Sequence, residues 1–188
     1  NSNFYEGTRK STVTSYSERG AHNYEDPMNK NFLYGDITVK FIEQIPIRAD
    51  DKQILDIGCG TGDFLKYMDS SGWQVEGVET DKGAKRIAEK KLGKKIEEKL
   101  DLVDGENKYD VVSMWHVLEH VYNVKDYLRK VNKLLKNGGV LVVGIPNCSS
   151  YDAKKYKGNW VAYDLPIHLS HFRKKNIEEL AKKTSYEL

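Results

Sequence analysis

The sequence predicts an α/β domain built on a doubly wound, mostly parallel sheet with a helical cap at its N-terminus, and three observations carry that prediction. From Lys52 onward, short apolar runs alternate with amphipathic stretches of helical period, the pattern of repeated strand-helix-strand units. Gly58, Gly60 and Gly62 sit between the first apolar run and the first amphipathic stretch, where such folds turn from strand into helix. The chain of 188 residues accommodates one domain of about 150 residues with an extension. The reading therefore divides it into an N-terminal cap or lid over residues 1–50 and a ligand-binding domain over residues 51–188.

Ser, Thr, Asn and Tyr dominate as far as Tyr24. Ile37, Phe41 and Ile45 then recur about one helical turn apart and mark a helix from Gly35 to Gln44, which Pro46 ends. Gln53 to Ile57 (QILDI) reads as a buried strand, followed by a helix from Asp63 to Asp69 that carries Phe64, Leu65 and Met68 and stops at Gly72. Trp73 to Val78 is the second strand. Asp81 to Leu92 is a helix with Ala84, Ile87, Ala88 and Leu92 on one face and Gly93 as a left-handed cap. A third strand is expected around Ile96, and a fourth over Tyr109 to Trp115 (YDVVSMW). A helix from Asn123 to Lys136 ends at Asn137-Gly138-Gly139, and Val140 to Ile145 (VLVVGI) is the fifth strand. Pro146 opens a long irregular stretch to about Leu169, and Lys174 to Lys183 is the last helix.

Composition narrows the partners. Lys and Arg total 30 against 28 Asp and Glu, a net charge of +2 that creates no field marking a nucleic-acid or membrane-surface protein. Lysines crowd the stretch from Lys82 to Lys99, but Glu89, Glu97 and Glu98 are interleaved, as on a solvated helix surface. Lys154-Lys155-Tyr156-Lys157 is a shorter basic patch able to meet an anionic acceptor. Cys59 and Cys148 occur in a chain large enough to fold without staples, which suits a reducing compartment. Neither a signal peptide nor an apolar run of about 18 residues is present. A cytoplasmic protein with no nucleic-acid partner and no membrane span is expected, and nothing in the sequence sets its oligomeric state.

Asp56-Ile57-Gly58-Cys59-Gly60-Thr61-Gly62 is the most informative segment. Gly58 and Gly60 permit a sharp turn and let a ligand approach without a Cβ in the way, while the free N–H groups of the next helix favour an acceptor-rich ligand. Glu79 closes the second strand about 20 residues after Gly58, where an acid reaches the two hydroxyls of a ribose. Asp63 at the helix start is a poor neighbour for a pyrophosphate, and no G-K-[ST] follows the loop. The ligand is thus a nucleoside without phosphates.

Taken together, ILDIGCGTGDF, Glu79, YDVV and LLKNGGVLVVGIPN, in that order, resemble the motifs of class I S-adenosylmethionine-dependent methyltransferases. WHVLEHV, PNCSSY and GNWVAYDLPIHLSHF look like the ubiquinone-type, small-molecule branch. The resemblance covers Gln53 to the C-terminus and implies a Rossmann-like methyltransferase fold. It implies S-adenosylmethionine as cofactor, S-adenosylhomocysteine as product, and a small acceptor such as a sugar or quinone-like molecule methylated on O, N or C. It places Asp56, Gly58, Cys59, Gly60, Gly62, Glu79, Thr80 and Trp115 at the cofactor. Glu97, Glu98 and Asp101 compete to hold the adenine, and Asp101 is selected. Members usually finish with two further strands, and this chain ends before room exists for both. Cys59 is expected to act through its backbone, its side chain being a small filler.

His116 and His168 are the candidate catalytic residues. His116 follows the fourth strand, where the sheet's carboxyl edge meets the crevice; it is either a proton acceptor for a hydroxyl substrate or a wall residue. His168 and His171 lie on the stretch after the fifth strand, where substrate loops attach, and Trp160, Tyr163 and Asp164 are candidate acceptor contacts. Tyr5, Tyr16, Tyr24 and Tyr34 suggest a lid. Two rival readings remain. His116-Val117-Leu118-Glu119-His120 satisfies the H-x-x-E-H pattern of zinc hydrolases, which needs a helix where a β-branched strand has just ended and a third ligand that is not evident, so no metal is assigned. The other is a cofactor-binding module without catalysis.

Overall fold

The computed structural model describes residues 9–15 and 52–187. Strands β1 (Arg9–Ser15), β2 (Gln53–Ile57), β3 (Gln74–Val78), β4 (Tyr109–Trp115), β5 (Leu135–Ile145) and β6 (Tyr186–Glu187) form one sheet in the order β3-β2-β4-β5-β1-β6. Every adjacent pair is parallel. The helices are α1 (Asp63–Ser70), α2 (Lys82–Leu92), α3 (Val124–Leu134), α4 (Tyr151–Tyr156) and α5 (Lys174–Lys183).

Side chains along a strand point alternately to its two faces, and here both faces are covered. Ile54, Val75, Val111, Val140 and Val142 pack with Leu65 and Met68 of α1 and Ala88 and Leu92 of α2. Their neighbours Leu55, Ile57, Val112, Met114, Leu141 and Val143 pack with Leu128, Val131 and Leu134 of α3 and Ile177 and Ala181 of α5. Two-sided burial is why these strands read as continuous apolar runs rather than alternating ones. The helix starts follow their sequence signals: the Asp81 side chain accepts from Ala84 N at 2.7 Å to cap α2, and the Asn123 side chain accepts from Asp126 N to cap α3. Gly93 closes α2 at φ 65°.

Gly77 in β3 has no room for a side chain. An added Cβ would lie 2.8 to 2.9 Å from Leu65 Cδ1, Cys59 Sγ and Ile96 Cδ1. Gly77→Ala is therefore expected to destabilise the chain by about 1–3 kcal/mol through overpacking. Thermal denaturation checks this, and an unchanged melting temperature would refute the tight packing described.

Several expectations are corrected in detail. No strand forms around Ile96; the contact there is an isolated parallel bridge between Val78 and Glu97, with Ile96 fully buried. Asn137-Gly138-Gly139 does not end the helix, which stops at Leu134. β5 begins at Leu135, opposite Tyr109, and regains register only where Val140 meets Val111. The residues between loop out, held where Lys136 Nζ donates to Asp110 Oδ2 at 2.8 Å. Gly139 is needed there because a Cβ would meet the carbonyl oxygens of Lys136 and Tyr109 at 2.9 and 3.0 Å.

Residues 9–15, read as part of a polar cap, form a strand that runs beside β5 with Lys10 opposite Val140. β6 pairs with the far side of β1. The helix from Gly35 to Gln44 and the tyrosines Tyr5, Tyr16, Tyr24 and Tyr34 lie outside the described residues. The stretch after β5 is less irregular than expected. It contains α4 and the short 3-10 turns Lys157–Asn159 and Val161–Tyr163, and it returns to its origin where Asn147 bridges Phe172. No helix among the described residues is long and apolar enough to cross a membrane.

Candidate functional site

The chain leaves β2 toward β3 on one side and returns to β4 on the other, so the carboxyl ends of β2 and β4 flank a switch point, where open α/β sheets form a crevice. The glycine loop fills the end of β2. Its three glycines share a left-handed backbone, φ 74°, 54° and 77° at Gly58, Gly60 and Gly62, which residues with a Cβ rarely adopt. Their surroundings differ. A Cβ on Gly58 would strike Val117 Cγ2 at 2.5 Å, and one on Gly62 would meet Ala88 Cβ of α2 at 3.0 Å. Among the described residues, a Cβ on Gly60 would meet nothing within 4 Å. Two glycines thus bring the loop against its neighbours, and the middle one faces open space. α1 starts at Gly62 with no side-chain cap, leaving its first N–H groups to whatever occupies that end.

Glu79 joins the loop to the end of β3. Its Oε2 accepts from Gly60 N at 2.7 Å and its Oε1 from Asp81 N at 2.8 Å, and the residue is 9% exposed. Gly58 N and Cys59 N both donate to Val78 O, which fastens the loop to β3 from below. Thr80 is exposed beside Glu79. Cys59 contributes its backbone, and its buried thiol is pushed up to about 12, by burial first and then by Asp56 and Glu79, which leaves it a weak nucleophile.

Asp56 lies beneath the loop, 2% exposed, accepting from Ser113 Oγ of β4 at 2.7 Å. Burial raises its carboxyl from 3.8 to about 7; the Ser113 hydrogen bond opposes that rise and the charge of Glu79 adds to it. Enclosed in this way, Asp56 ties β2 to β4 under the loop. Asp101 is exposed on the 3-10 turn Leu100–Leu102, and its carboxylate is paired with Lys130 of α3. That pair holds it well below the usual carboxylate range. The backbone beside Glu79 belongs instead to Glu97, whose carbonyl accepts from Glu79 N at 2.9 Å.

At the end of β4, Trp115 stands edge-on to Phe64 of α1, with ring centroids 6.1 Å apart. The Trp115 ring covers Gly144, where a Cβ would touch it at 2.7 Å, and its indole N–H is buried without a hydrogen-bond partner among the described residues. His116 follows with φ 54°, its ring at the surface and its Nδ1 3.1 Å from Glu119 Oε1. His116 and His120 are not stacked on a helix. Leu118–His120 is a single 3-10 turn, so the helical H-x-x-E-H geometry is absent.

The turn instead receives the excursion after β5. Glu119 O accepts from Leu169 N and Ser170 N at 2.8 and 3.1 Å, and the rings of His120 and His168 meet edge to face at 4.8 Å. His168 is thereby brought to the end of β4 beside Glu119. Trp160, Tyr163 and His171 form a second edge-to-face chain on the same excursion. Glu119, 1% exposed, is the organising residue that sequence reasoning valued only as part of a zinc motif. A charged residue inside an apolar segment, WHVLEHV, is the signal that pointed to it.

A family model described as "Methyltransferase domain" matches residues 32–188. A ubiquinone biosynthesis O-methyltransferase of Pelagibacter ubique is 28% identical over 137 residues, 67% of this chain and 55% of that protein. An uncharacterized protein of Methanocaldococcus jannaschii is 30% identical over 143 residues, 72% and 54% of the two chains. The chain spans about half the length of these curated relatives. Among solved structures, a SAM-dependent methyltransferase from Archaeoglobus fulgidus superposes with a TM-score of 0.65 at 20% identity, over 82% of this chain and 68% of that one. Haemonchus contortus phosphoethanolamine N-methyltransferase 2, in complex with S-adenosyl-L-methionine, gives 0.59 at 22%, over 79% and 36%.

Proposed function

The chain belongs to the methyltransferase-domain family, and on that premise we propose that it transfers the methyl group of S-adenosylmethionine to a small-molecule acceptor and releases S-adenosylhomocysteine. One observation carries the reading: among the described residues, Gly60 presents an open, side-chain-free face directly beside the Glu79 carboxylate. That pair suits a ribose, with acceptor oxygens for its hydroxyls and no Cβ to hold it off. Asp63 and Asp81 flank the site and disfavour phosphates, so a nucleoside without a pyrophosphate fits.

The cofactor supplies an activated methyl group on a sulfonium, whose charge vanishes as the methyl leaves. The protein's part is to bind, position and deprotonate. Glu79, Gly60 and the uncapped start of α1 hold the nucleoside, and Trp115 and Phe64 wall the crevice. Positioning the acceptor in line supplies much of the rate. For a hydroxyl acceptor His116 takes the proton from the attacking oxygen at Nε2, its Nδ1 being turned to Glu119. The excursion over residues 147–172 forms the acceptor side. It exposes Val161, Leu165 and Ile167, which favours an acceptor with an apolar part, quinone-like rather than sugar-like.

Calorimetric titration of the full chain with S-adenosylmethionine and S-adenosylhomocysteine tests this beside Gly60→Val. The native chain is expected to bind both at micromolar levels. Gly60→Val, whose side chain fills open space rather than protein, is expected to stay folded at a cost of about 1–2 kcal/mol for the left-handed backbone and to lose binding. A folded native chain that binds neither ligand would overturn the proposal.

A further inference from the structure

Glu119, His120 and His168 converge from two separate segments of the chain, and each offers a ligand atom within 4.8 Å of the other two. Nitrogen and oxygen ligands about 2.1 Å from a tetrahedral cation stand roughly 3.4 Å apart. Side-chain rotation of about an ångström closes the set. The two rings are oriented alike. His120 Nδ1 faces Ile167 O at 3.2 Å and His168 Nδ1 faces Ala162 O at 2.8 Å. A carbonyl only accepts, so each Nδ1 is placed to donate to it, and Nε2 is the nitrogen of each ring left to take a cation. Imidazole ligands of metals are commonly oriented by such a backbone contact on the far nitrogen.

Glu119 adds an independent observation. It is 1% exposed; its Oε1 receives His116 Nδ1, while Oε2 is buried with no hydrogen-bond partner among the described residues. A buried carboxylate oxygen left bare is costly, and a bound cation removes that cost. We infer that Glu119, His120 and His168 bind one divalent transition-metal cation of the zinc class. Two imidazoles and one carboxylate suit borderline metals better than magnesium or calcium. Three protein ligands leave an open position for water or for an oxygen of a bound small molecule. The cation would join the turn after β4 to the excursion over residues 147–172, two segments already linked where Leu169 N and Ser170 N donate to Glu119 O. The site stands whether or not the methyl-transfer reading holds, because it uses none of the glycine-loop residues.

The full chain, stripped with a chelator, is titrated with zinc chloride by calorimetry and with cobalt chloride by visible absorption, beside His120→Ala, His168→Ala and His171→Ala. Circular dichroism confirms that each variant is folded. One equivalent of zinc is expected to bind the native chain, with a cobalt spectrum of low coordination number. Affinity should fall by at least about 100-fold in His120→Ala and His168→Ala and stay within about threefold in His171→Ala, whose Nε2 is engaged with Tyr163 O. Absence of stoichiometric zinc binding by the folded native chain would overturn the assignment. So would equal affinity in the His120 and His168 variants, or tighter binding of magnesium than of zinc.

Discussion

Glu79→Ala is expected to weaken S-adenosylmethionine binding by at least about 100-fold while the chain remains folded. The carboxylate accepts from Gly60 N and Asp81 N and retains lone pairs for two ribose hydroxyls. A hydrogen bond to a charged acceptor contributes about 1.5–3 kcal/mol, and about 1.4 kcal/mol is a tenfold change in affinity. Losing two such bonds thus costs roughly 100-fold at the low end and 10,000-fold at the high end. The fold should lose only about 1–2 kcal/mol, since water can reach the two freed amides. Glu79→Gln keeps an acceptor oxygen and should fall between the two. Calorimetry with a parallel melting curve decides the matter, and affinity within threefold of native in Glu79→Ala would sink the role given to this acid.

The second large effect concerns pH. The Asp56 carboxyl is raised from 3.8 to about 7 by burial, with the Ser113 bond opposing and Glu79 reinforcing the shift. The folded state therefore holds this proton more tightly than the unfolded chain. Its contribution to stability is fully present below about pH 4 and is lost progressively as pH rises from about 4 to 7. A shift of about three units corresponds to about 4 kcal/mol. Asp56→Asn removes the titration and should be more stable than the native chain at pH 8, by about 1–3 kcal/mol once the cost of seating an amide is deducted. At pH 5 that advantage should vanish or reverse. Urea denaturation of both chains from pH 5 to 8 checks this; parallel pH profiles would refute it.

What the sequence disclosed and what it withheld divide along physical lines. The glycine loop, Glu79 and the strands QILDI and YDVVSMW were legible because each rests on local pattern: a turn needing positive φ, an acid at a strand end, a run buried on two sides. Leu135 was misassigned because Asn137-Gly138-Gly139 is equally good chemistry for ending a helix and for a bulge, and only the Lys136–Asp110 contact across strands tells them apart. Asp101 was selected from several neighbouring acids, Glu97 and Glu98 among them. Its pairing with Lys130 is tertiary and leaves no trace in spacing. The meeting of Glu119 with His168 was hidden for the same reason, as it depends on the excursion after β5 folding back to its start.

The position of β1 bears on the order of events during synthesis. Residues 9–15 are made before the other described strands, yet the strand they form is flanked by β5 and β6, which follow β2, β3 and β4 in the chain. The leading segment must wait while β2, β3 and β4 assemble with their short connections, and its hydrogen-bonding edges find partners only after Val140 and its neighbours emerge. Pairing at such separation in the chain is entropically slow. A nascent chain halted before β5 would therefore carry β1 as an unpaired strand, open to protease or chaperone until β5 has been made.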